Sequence, residues 1–198
     1  RDEEDVLSEV RKLAENGFKE VVLTGIHVAS YGKDTKNTNL LQVIKKVHEI
    51  EGIERIRLSS IEPNIVTEEF ASEMASLPKA CHHFHLSLQS GCEKTLKEMN
   101  RKYTAEKYAQ AAEILRKHMP DVALTTDIIV GFPGETDEDF EESYDFAKKI
   151  GFSKIHVFPY SPKRGTPAAA RKDQVSPQKK EERSAKLIAL SNKMADDF

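Results

Sequence analysis

Apolar residues recur along this chain first at helical and then at strand spacing. Val6, Val10 and Leu13 lie at helical intervals and Gly17 follows them, a pattern that predicts a helix and its end. The apolar run 21–23 then predicts a strand. The alternation continues, with predicted helices around 40–47, 70–77, 93–99, 105–117, 140–150 and 187–194 and predicted strands at 53–59, 83–88, 122–130 and 154–158.

Five strands separated by helices predict a parallel sheet with right-handed crossovers. In such sheets, ligands bind at the carboxyl ends of the strands. Each predicted strand end continues into a polar or glycine-containing turn, which favours a shared binding surface over ordinary loops. The turns are 24–27, 59–63, 89–91, 131–134 and 159–161.

The segment 127–136 contains the most informative of these junctions. Its first four residues predict a fully buried strand end, and Gly131 and Gly134 permit backbone conformations that are closed to other residues. Thr136 predicts a helix N-cap, followed by acidic residues that the helix dipole stabilises. Taken alone, the segment fits a nucleotide-binding turn and a plain strand-to-helix connection equally well.

Composition narrows the class of protein. The 198 residues are 38% hydrophobic and 32% charged, which predicts one domain with one core. The net charge of -3 gives no general attraction to nucleic acid, so any such contact has to be local. The sequence has no long apolar run and no amino-terminal signal pattern, so we expect no membrane association and a cytoplasmic location. Cys81 and Cys92 match neither a metal-binding pair nor a disulfide framework, and small buried or capping roles are expected.

Six segments, in order along the chain, carry a family resemblance. They are TGIHVASYG, RIRLSSIEP, HLSLQSG, MNRKYT, TTDIIVGFPGETDEDF and HVFPYSPKRGTPAA. These segments resemble the radical S-adenosylmethionine (SAM) enzymes and, within them, the methylthiotransferases. SLQSG, RKYT and HVFPYS are most similar to the branch that methylthiolates threonylcarbamoyladenosine in transfer RNA. The resemblance implies an α/β fold, a partial TIM-type barrel of parallel strands with outer helices.

The resemblance also implies two cofactors, SAM and a [4Fe-4S] cluster. The family's CxxxCxxC cluster loop is missing from this sequence, and the spacing of Cys81 and Cys92 cannot replace it. We therefore expect residues 1–198 to form a single partial-barrel domain without the first strand, the cluster loop, the amino-terminal cluster domain or the carboxyl-terminal RNA-binding domain. The chain by itself is expected to be inactive.

Three residues match the family's SAM-binding trio. The Gln89 amide can donate to and accept from ribose hydroxyls, and the Arg101 guanidinium suits the methionine carboxylate. The Asp127 carboxylate accepts hydrogen bonds from ribose hydroxyls. The alternatives are a strand-end salt bridge for Asp127 and a solvated helix position for Arg101.

Other positions would complete the SAM site. Thr24 and Gly25 occupy the place of the family's glycine-containing motif at the methionine amino group, although TGIH departs from the usual paired glycines. Ser60 and Glu62 are candidates for the ribose or methionine end, without a ranking between them.

Two positions would bind the adenine. Gly131 would let the backbone approach the base, and backbone groups near Phe158 would hydrogen-bond its edge. The Phe158 side chain itself is expected in the core.

Histidines and basic residues are weaker candidates. His27, His82, His83, His85 and His156 could act as metal ligands or bases, but the resemblance explains their strands without a metal, and no metal site is assigned. A local basic patch for RNA phosphate would consist of Arg101, Lys102, Lys163 and Arg164.

The implied reaction adds a methylthio group to carbon 2 of N6-threonylcarbamoyladenosine next to the anticodon. The partners would be transfer RNA and a reductant for the cluster. The alternatives are the same chemistry on isopentenyladenosine or on a ribosomal protein, another radical SAM iron–sulfur oxidoreductase, and a binding or scaffold domain without chemistry of its own.

Overall fold

A computed structural model describes residues 1–25, 28–32 and 38–198 of the protein. In this part of the chain, helices and strands alternate as the hydrophobic pattern predicts. The helices are α1 (Glu3–Glu15), α2 (Leu40–His48), α3 (Glu68–Ala75), α4 (Glu93–Glu98), α5 (Ala105–His118), α6 (Asp137–Ile150) and α7 (Pro177–Asp197). The strands are β1 (Glu20–Leu23), β2 (Arg55–Leu58), β3 (His83–His85), β4 (Ala123–Val130) and β5 (Lys154–Pro159). Short 3-10 turns lie at Val28–Ser30, Pro63–Ile65 and Ala168–Ala170.

The chain divides into two compact units. The first consists of Arg1–His85 and Glu113–Val122, and the second consists of Leu86–Ala112 and Ala123–Phe198. A single domain over residues 1–198 stays a prediction.

The first unit is built on the parallel pair β1 and β2. Val21 lies opposite Ile56 in this pair, and both side chains are buried. Asp2 caps the start of α1, since its carboxylate accepts from the Asp5 amide, and the Asn39 side chain caps α2 by accepting from the Gln42 amide. The buried core of this unit contains Leu7, Val10, Val21, Val43, Val47, Ile53 and Ile56.

The second unit is built on the parallel pair β4 and β5. Thr136 and Asp139 form a reciprocal capping box at the start of α6, and Gly151 ends that helix in the left-handed conformation. Helix α7 packs beside β5, where the Ser191 hydroxyl accepts from the Ile155 amide at 2.9 Å. The parallel α/β class predicted from the sequence is confirmed in both pairs of strands.

Three local predictions differ from the structure. The strand predicted at 83–88 is regular only to His85. The Leu86 and Gln89 amides still donate to β4 carbonyls, but the Leu88 amide donates to the Thr126 hydroxyl, which interrupts the pairing. The end of β4 is not fully buried, since Asp127 and Ile129 are half-buried on a face that the unit leaves open. Helix α7 starts well before the predicted range of 187–194, at Pro177, where the missing N–H of proline costs nothing.

Among the described residues, no helix combines the length and the apolar composition needed to cross a membrane.

Candidate functional site

The predicted SAM-binding residues divide between the two units. In the second unit they are Gln89, Arg101, Asp127, Gly131 and Phe158, and in the first unit they are Thr24, Gly25, Ser60 and Glu62.

Gln89 has an unusual backbone conformation. Its φ of 70° lies in the left-handed region, which costs a non-glycine residue on the order of 1–3 kcal/mol and occurs mostly at functional sites. The backbone N–H of Gln89 donates to the Asp127 backbone carbonyl at 2.9 Å, and the backbone carbonyl of Gln89 accepts from the Ile129 backbone N–H at 2.9 Å. The two predicted ribose-binding residues, Gln89 and Asp127, are therefore neighbours through their backbones.

The buried Thr126 side chain holds the backbone of residues 86–88, which directly precede Gln89, in place. Its hydroxyl donates to the Leu86 carbonyl at 2.6 Å and accepts from the Leu88 amide at 3.0 Å. Two tyrosine hydroxyls reinforce the same segment, since Tyr108 donates to the Leu86 carbonyl and Tyr103 to the Leu88 carbonyl. Sequence reasoning missed all three side chains, and the only available signal was a polar residue on the buried face of β4.

Asp127 lies on the open face of the β4 and β5 pair. Ile129 is two residues further along the same face, and strand register places His156 opposite Asp127 and Phe158 opposite Ile129. Phe158 is 51% exposed, so the expectation that its side chain belongs to the core is wrong. The side chain lies on the uncovered face of β5, where it offers flat apolar surface beside a carboxylate.

Arg101 follows α4, where its amide donates to the Leu96 carbonyl at 3.0 Å. The residue is half-buried, and its Nε atom is buried without a hydrogen-bond acceptor among the described residues. A buried guanidinium N–H that lacks an acceptor is costly, and an anionic ligand would satisfy it.

The turn at residues 131–134, here called the Gly131 turn, is stabilised by a hydrogen bond to the carboxylate of Glu135, which directly follows it. Gly131 has a φ of +71°, and its amide donates to Glu135 Oε2 at 2.6 Å. Glu135 also forms an ion pair of 2.6 Å with Arg183 of α7. Burial raises the pKa of the Glu135 carboxyl, while the Gly131 amide and the Arg183 guanidinium oppose that shift. Sequence reasoning missed both Glu135 and Arg183.

Gly134 completes the turn and contacts the loop before α7. Its φ is +81°, and its amide donates to the Asp173 carbonyl at 2.9 Å. An added Cβ atom would collide with the Arg171 guanidinium, which is itself paired with Glu98 at 2.7 Å. A substitution here would therefore meet both a strained backbone and an occupied space.

The predicted residues of the first unit lie at the ends of β1 and β2. Thr24 and Gly25 line an open cavity of about 1200 Å³, together with Val22 and Tyr31. Ser60 is exposed and Glu62 is half-buried just before the 3-10 turn. The candidate His27 lies outside the described residues.

Two histidines at the start of β3 have distinct surroundings: His82 is paired with a carboxylate and His83 is half-buried. His82 Nδ1 lies 2.7 Å from Asp121 Oδ1, and the pairing lowers the pKa of the Asp121 carboxyl. Burial lowers the pKa of His83, with smaller contributions from Arg57 and His85. A neutral His83 imidazole is therefore favoured at neutral pH.

Sequence comparison identifies the class of protein. The sequence pattern of the radical SAM superfamily matches residues 1–147, about three quarters of the chain. The chain belongs to the radical SAM superfamily, as the motifs predicted.

Curated relatives of this chain include enzymes that modify transfer RNA. The chain is 45% identical over 199 residues to the threonylcarbamoyladenosine tRNA methylthiotransferase MtaB of Bacillus subtilis, and it covers 44% of that protein's length. It is also 45% identical over 196 residues to the tRNA-2-methylthio-N(6)-dimethylallyladenosine synthase of a Thermoanaerobacter species, of which it covers 42%. The chain thus spans less than half the length of these relatives.

Solved structures share the fold at low sequence identity. Coproporphyrinogen III oxidase (HemN) of Escherichia coli, a radical SAM enzyme, matches 97% of this chain and 46% of its own with a TM-score of 0.70 and 16% identity. The radical SAM methyltransferase TsrM of Kitasatospora setae matches 80% of this chain and 31% of its own with a TM-score of 0.64 and 20% identity. The predicted fold class is confirmed by this similarity.

Proposed function

We propose that this chain is the SAM-binding catalytic part of a radical SAM methylthiotransferase that acts on transfer RNA. The observation that carries the proposal is the 45% identity to the Bacillus subtilis methylthiotransferase over the whole of this chain. The proposed product carries a methylthio group on carbon 2 of N6-threonylcarbamoyladenosine next to the anticodon. Because the chain covers 44% of that relative, the activity is proposed for the full-length protein.

The second unit offers groups that suit SAM. The Gln89 side-chain amide and the Asp127 carboxylate would bind ribose hydroxyls from neighbouring backbone segments, and Ile129 and Phe158 would contact the adenine. The buried, unsatisfied Nε of Arg101 supports its role as the partner of the methionine carboxylate. The roles of Thr24, Gly25, Ser60 and Glu62 stay predictions from the sequence.

SAM would supply the methyl group and, together with an iron–sulfur cluster, radical chemistry. The residues of this chain would bind and orient the cofactor. Asp127 and Gln89 would fix the ribose, so that the rest of the molecule points in one direction from the strand ends. The strain stored at Gln89 fits this role, because a preorganised contact loses less entropy on binding.

The cysteines of the chain do not fit an iron–sulfur cluster. Cys92 is buried at the start of α4, where its thiol donates to Asp139 Oδ1 at 3.6 Å. Burial raises the pKa of this thiol, whereas a cluster ligand has to be a thiolate. Cys81 is half-buried in the other unit. No reaction step is therefore assigned to a cluster held by these residues.

Transfer RNA is the proposed substrate, and exposed basic residues could contact its phosphates. Lys163 and Arg164 are exposed in the loop between β5 and α7, and Lys102 is exposed after α4. Such contacts would be local, since the chain as a whole has a net charge of -3.

The dimethylallyladenosine-type nucleoside is the second candidate substrate. Its synthase from Thermoanaerobacter has the same 45% identity to this chain, so overall similarity does not separate the two. The substrates differ in the group on N6 of the adenosine.

Nucleoside analysis of cellular transfer RNA tests the proposal. We expect deletion of the gene to abolish 2-methylthio-N6-threonylcarbamoyladenosine and to leave its precursor without the methylthio group. Loss of the dimethylallyl-type product would support the second candidate, and no change in either nucleoside would refute the proposal. In complementation, the Asp127→Ala variant should fail, whereas Asp121→Ala, a change at an exposed carboxylate paired with His82, should restore the product.

A further inference from the structure

The ion pair between Glu135 and Arg183 is almost completely buried. The side chains are 1% and 6% exposed, and their closest atoms are 2.6 Å apart. The second Arg183 nitrogen, Nη2, donates to Asp137 Oδ1 at 2.9 Å, and the guanidinium lies 5.6 Å from the centre of the Phe140 ring. The charges are therefore enclosed by the start of α6 on one side and by α7 on the other.

Such a pair contributes little to net stability, because removing two charges from water costs about as much as their attraction returns. A role in selecting one conformation accounts better for its presence. Glycine permits many backbone conformations, so Gly131 cannot fix its own turn. The Glu135 carboxylate does so by accepting from the Gly131 amide at 2.6 Å, and Arg183 holds that carboxylate in place.

Helix α7 contacts the same end of the sheet through a second basic residue. Lys180 Nζ donates to the Tyr160 carbonyl at 2.9 Å and lies 5.2 Å from the centre of the Tyr160 ring. The aliphatic part of Lys180 also fills the space into which a side chain at Gly131 would project. The ends of β4 and β5 are thus both held by the first turns of α7.

We propose that Arg183 is a positioning residue, which acts through Glu135 to hold the Gly131 turn in the conformation required for ligand binding. The identity of the ligand, SAM, rests on the proposed function. The effect of Arg183 on the turn does not. Arg183 touches neither the ligand nor the reacting atoms in this account, and it belongs to a helix outside the segments that carried the family resemblance.

Amide hydrogen exchange of the full-length protein tests the effect on the turn without any ligand. We expect Arg183→Met to accelerate exchange in residues 131–136 by about tenfold, because the carboxylate that binds the Gly131 amide loses its partner. Exchange within β4 should stay unchanged. The matched control is Lys186→Met, also on α7, which breaks the exposed ion pair with Glu141 of α6 and should leave the turn protected.

A second pair of variants separates positioning from general stability. Glu135→Gln combined with Arg183→Met keeps an oxygen that accepts from Gly131 and leaves no buried charge unpaired, so protection of the turn should return. SAM affinity, measured by calorimetry on the full-length protein, should fall about tenfold for Arg183→Met and recover to within about threefold in the double variant. If Arg183→Met fails to fold, Arg183→Lys replaces it and should show a smaller change in the same direction.

Three results would overturn the inference. They are unchanged exchange at 131–136 in Arg183→Met, an equal acceleration throughout β4 or in Lys186→Met, and unchanged SAM affinity despite a loosened turn. If the unaltered protein binds no SAM, the assignment of the ligand fails, and the exchange data alone decide whether Arg183 holds the turn.

Discussion

Replacing Thr126 with valine should destabilise the second unit and disturb Gln89. The substitution keeps the shape of the side chain but removes the hydroxyl, which donates to the Leu86 carbonyl at 2.6 Å and accepts from the Leu88 amide at 3.0 Å. Tyr108 still donates to the Leu86 carbonyl, so that acceptor keeps one partner. The buried Leu88 amide loses its acceptor.

The expected cost follows from these contacts. Losing a hydrogen bond to a group that keeps another partner costs about 1 kcal/mol, and leaving a buried amide unsatisfied costs about 1–3 kcal/mol. The free energy of unfolding should therefore fall by about 2–4 kcal/mol. Thr126→Ser is the matched control, because it keeps the hydroxyl and loses one methyl group, at a cost of about 1 kcal/mol.

Urea denaturation followed by circular dichroism measures both variants. Because the Leu88 amide directly precedes Gln89, SAM affinity of the full-length protein should also fall in Thr126→Val and persist in Thr126→Ser. Equal losses of stability in the two variants would refute the reasoning, since the hydroxyl would then contribute nothing. A loss below about 1 kcal/mol in Thr126→Val would do the same.

Two further predictions concern α6 and its contacts. Gly91→Ala should lower the free energy of unfolding, measured by urea denaturation, by about 1–3 kcal/mol. The new Cβ atom would lie 2.7 Å from the Phe146 Cβ atom and 3.0 Å from the Ser143 Cα atom, and an unchanged denaturation midpoint would contradict this prediction. The Asp137 carboxyl, whose pKa is lowered to about 2 chiefly by its hydrogen bond to Lys179, should titrate near that value by nuclear magnetic resonance. Since the folded pKa lies below the unfolded value of 3.8, the stabilisation by this carboxylate is present above pH 3.8 and is lost as the pH falls through about 2. Asp137→Asn should remove this part of the pH dependence of the free energy of unfolding.

The order of helices and strands could be predicted because it depends on local patterns. Among the described residues, each α-helix and strand overlaps a range predicted from the spacing of apolar residues, although α7 starts earlier than predicted. Thr136 caps α6 as its side chain and acidic neighbours predict. Gly131 and Gly134 do adopt positive φ angles, as a turn between a strand and a helix requires. These features involve residues that lie within a few positions of one another.

The details of the candidate site depend on residues distant in sequence and could not be predicted in this way. The Leu88 amide donates to the Thr126 hydroxyl, which interrupts the predicted third strand, and Glu135 pairs with Arg183, 48 positions further along the chain. Nothing in the local pattern distinguishes Arg183 from the exposed basic residues of α7. The exposure of the Phe158 side chain was not predicted for a related reason. The hydrophobic residues of a strand do not reveal which face of the strand other elements cover.

We propose that the full-length protein methylthiolates transfer RNA with SAM bound by the neighbouring residues Gln89 and Asp127. In the decisive assay, purified full-length protein with reconstituted iron–sulfur clusters is incubated with SAM, dithionite as reductant, inorganic sulfide as sulfur source and bulk transfer RNA lacking the modification. The digested nucleosides are then analysed by mass spectrometry. We predict 2-methylthio-N6-threonylcarbamoyladenosine with the unaltered protein and none with Asp127→Ala. Absence of any methylthiolated nucleoside with the unaltered protein, or equal amounts with Asp127→Ala, would refute the proposed function.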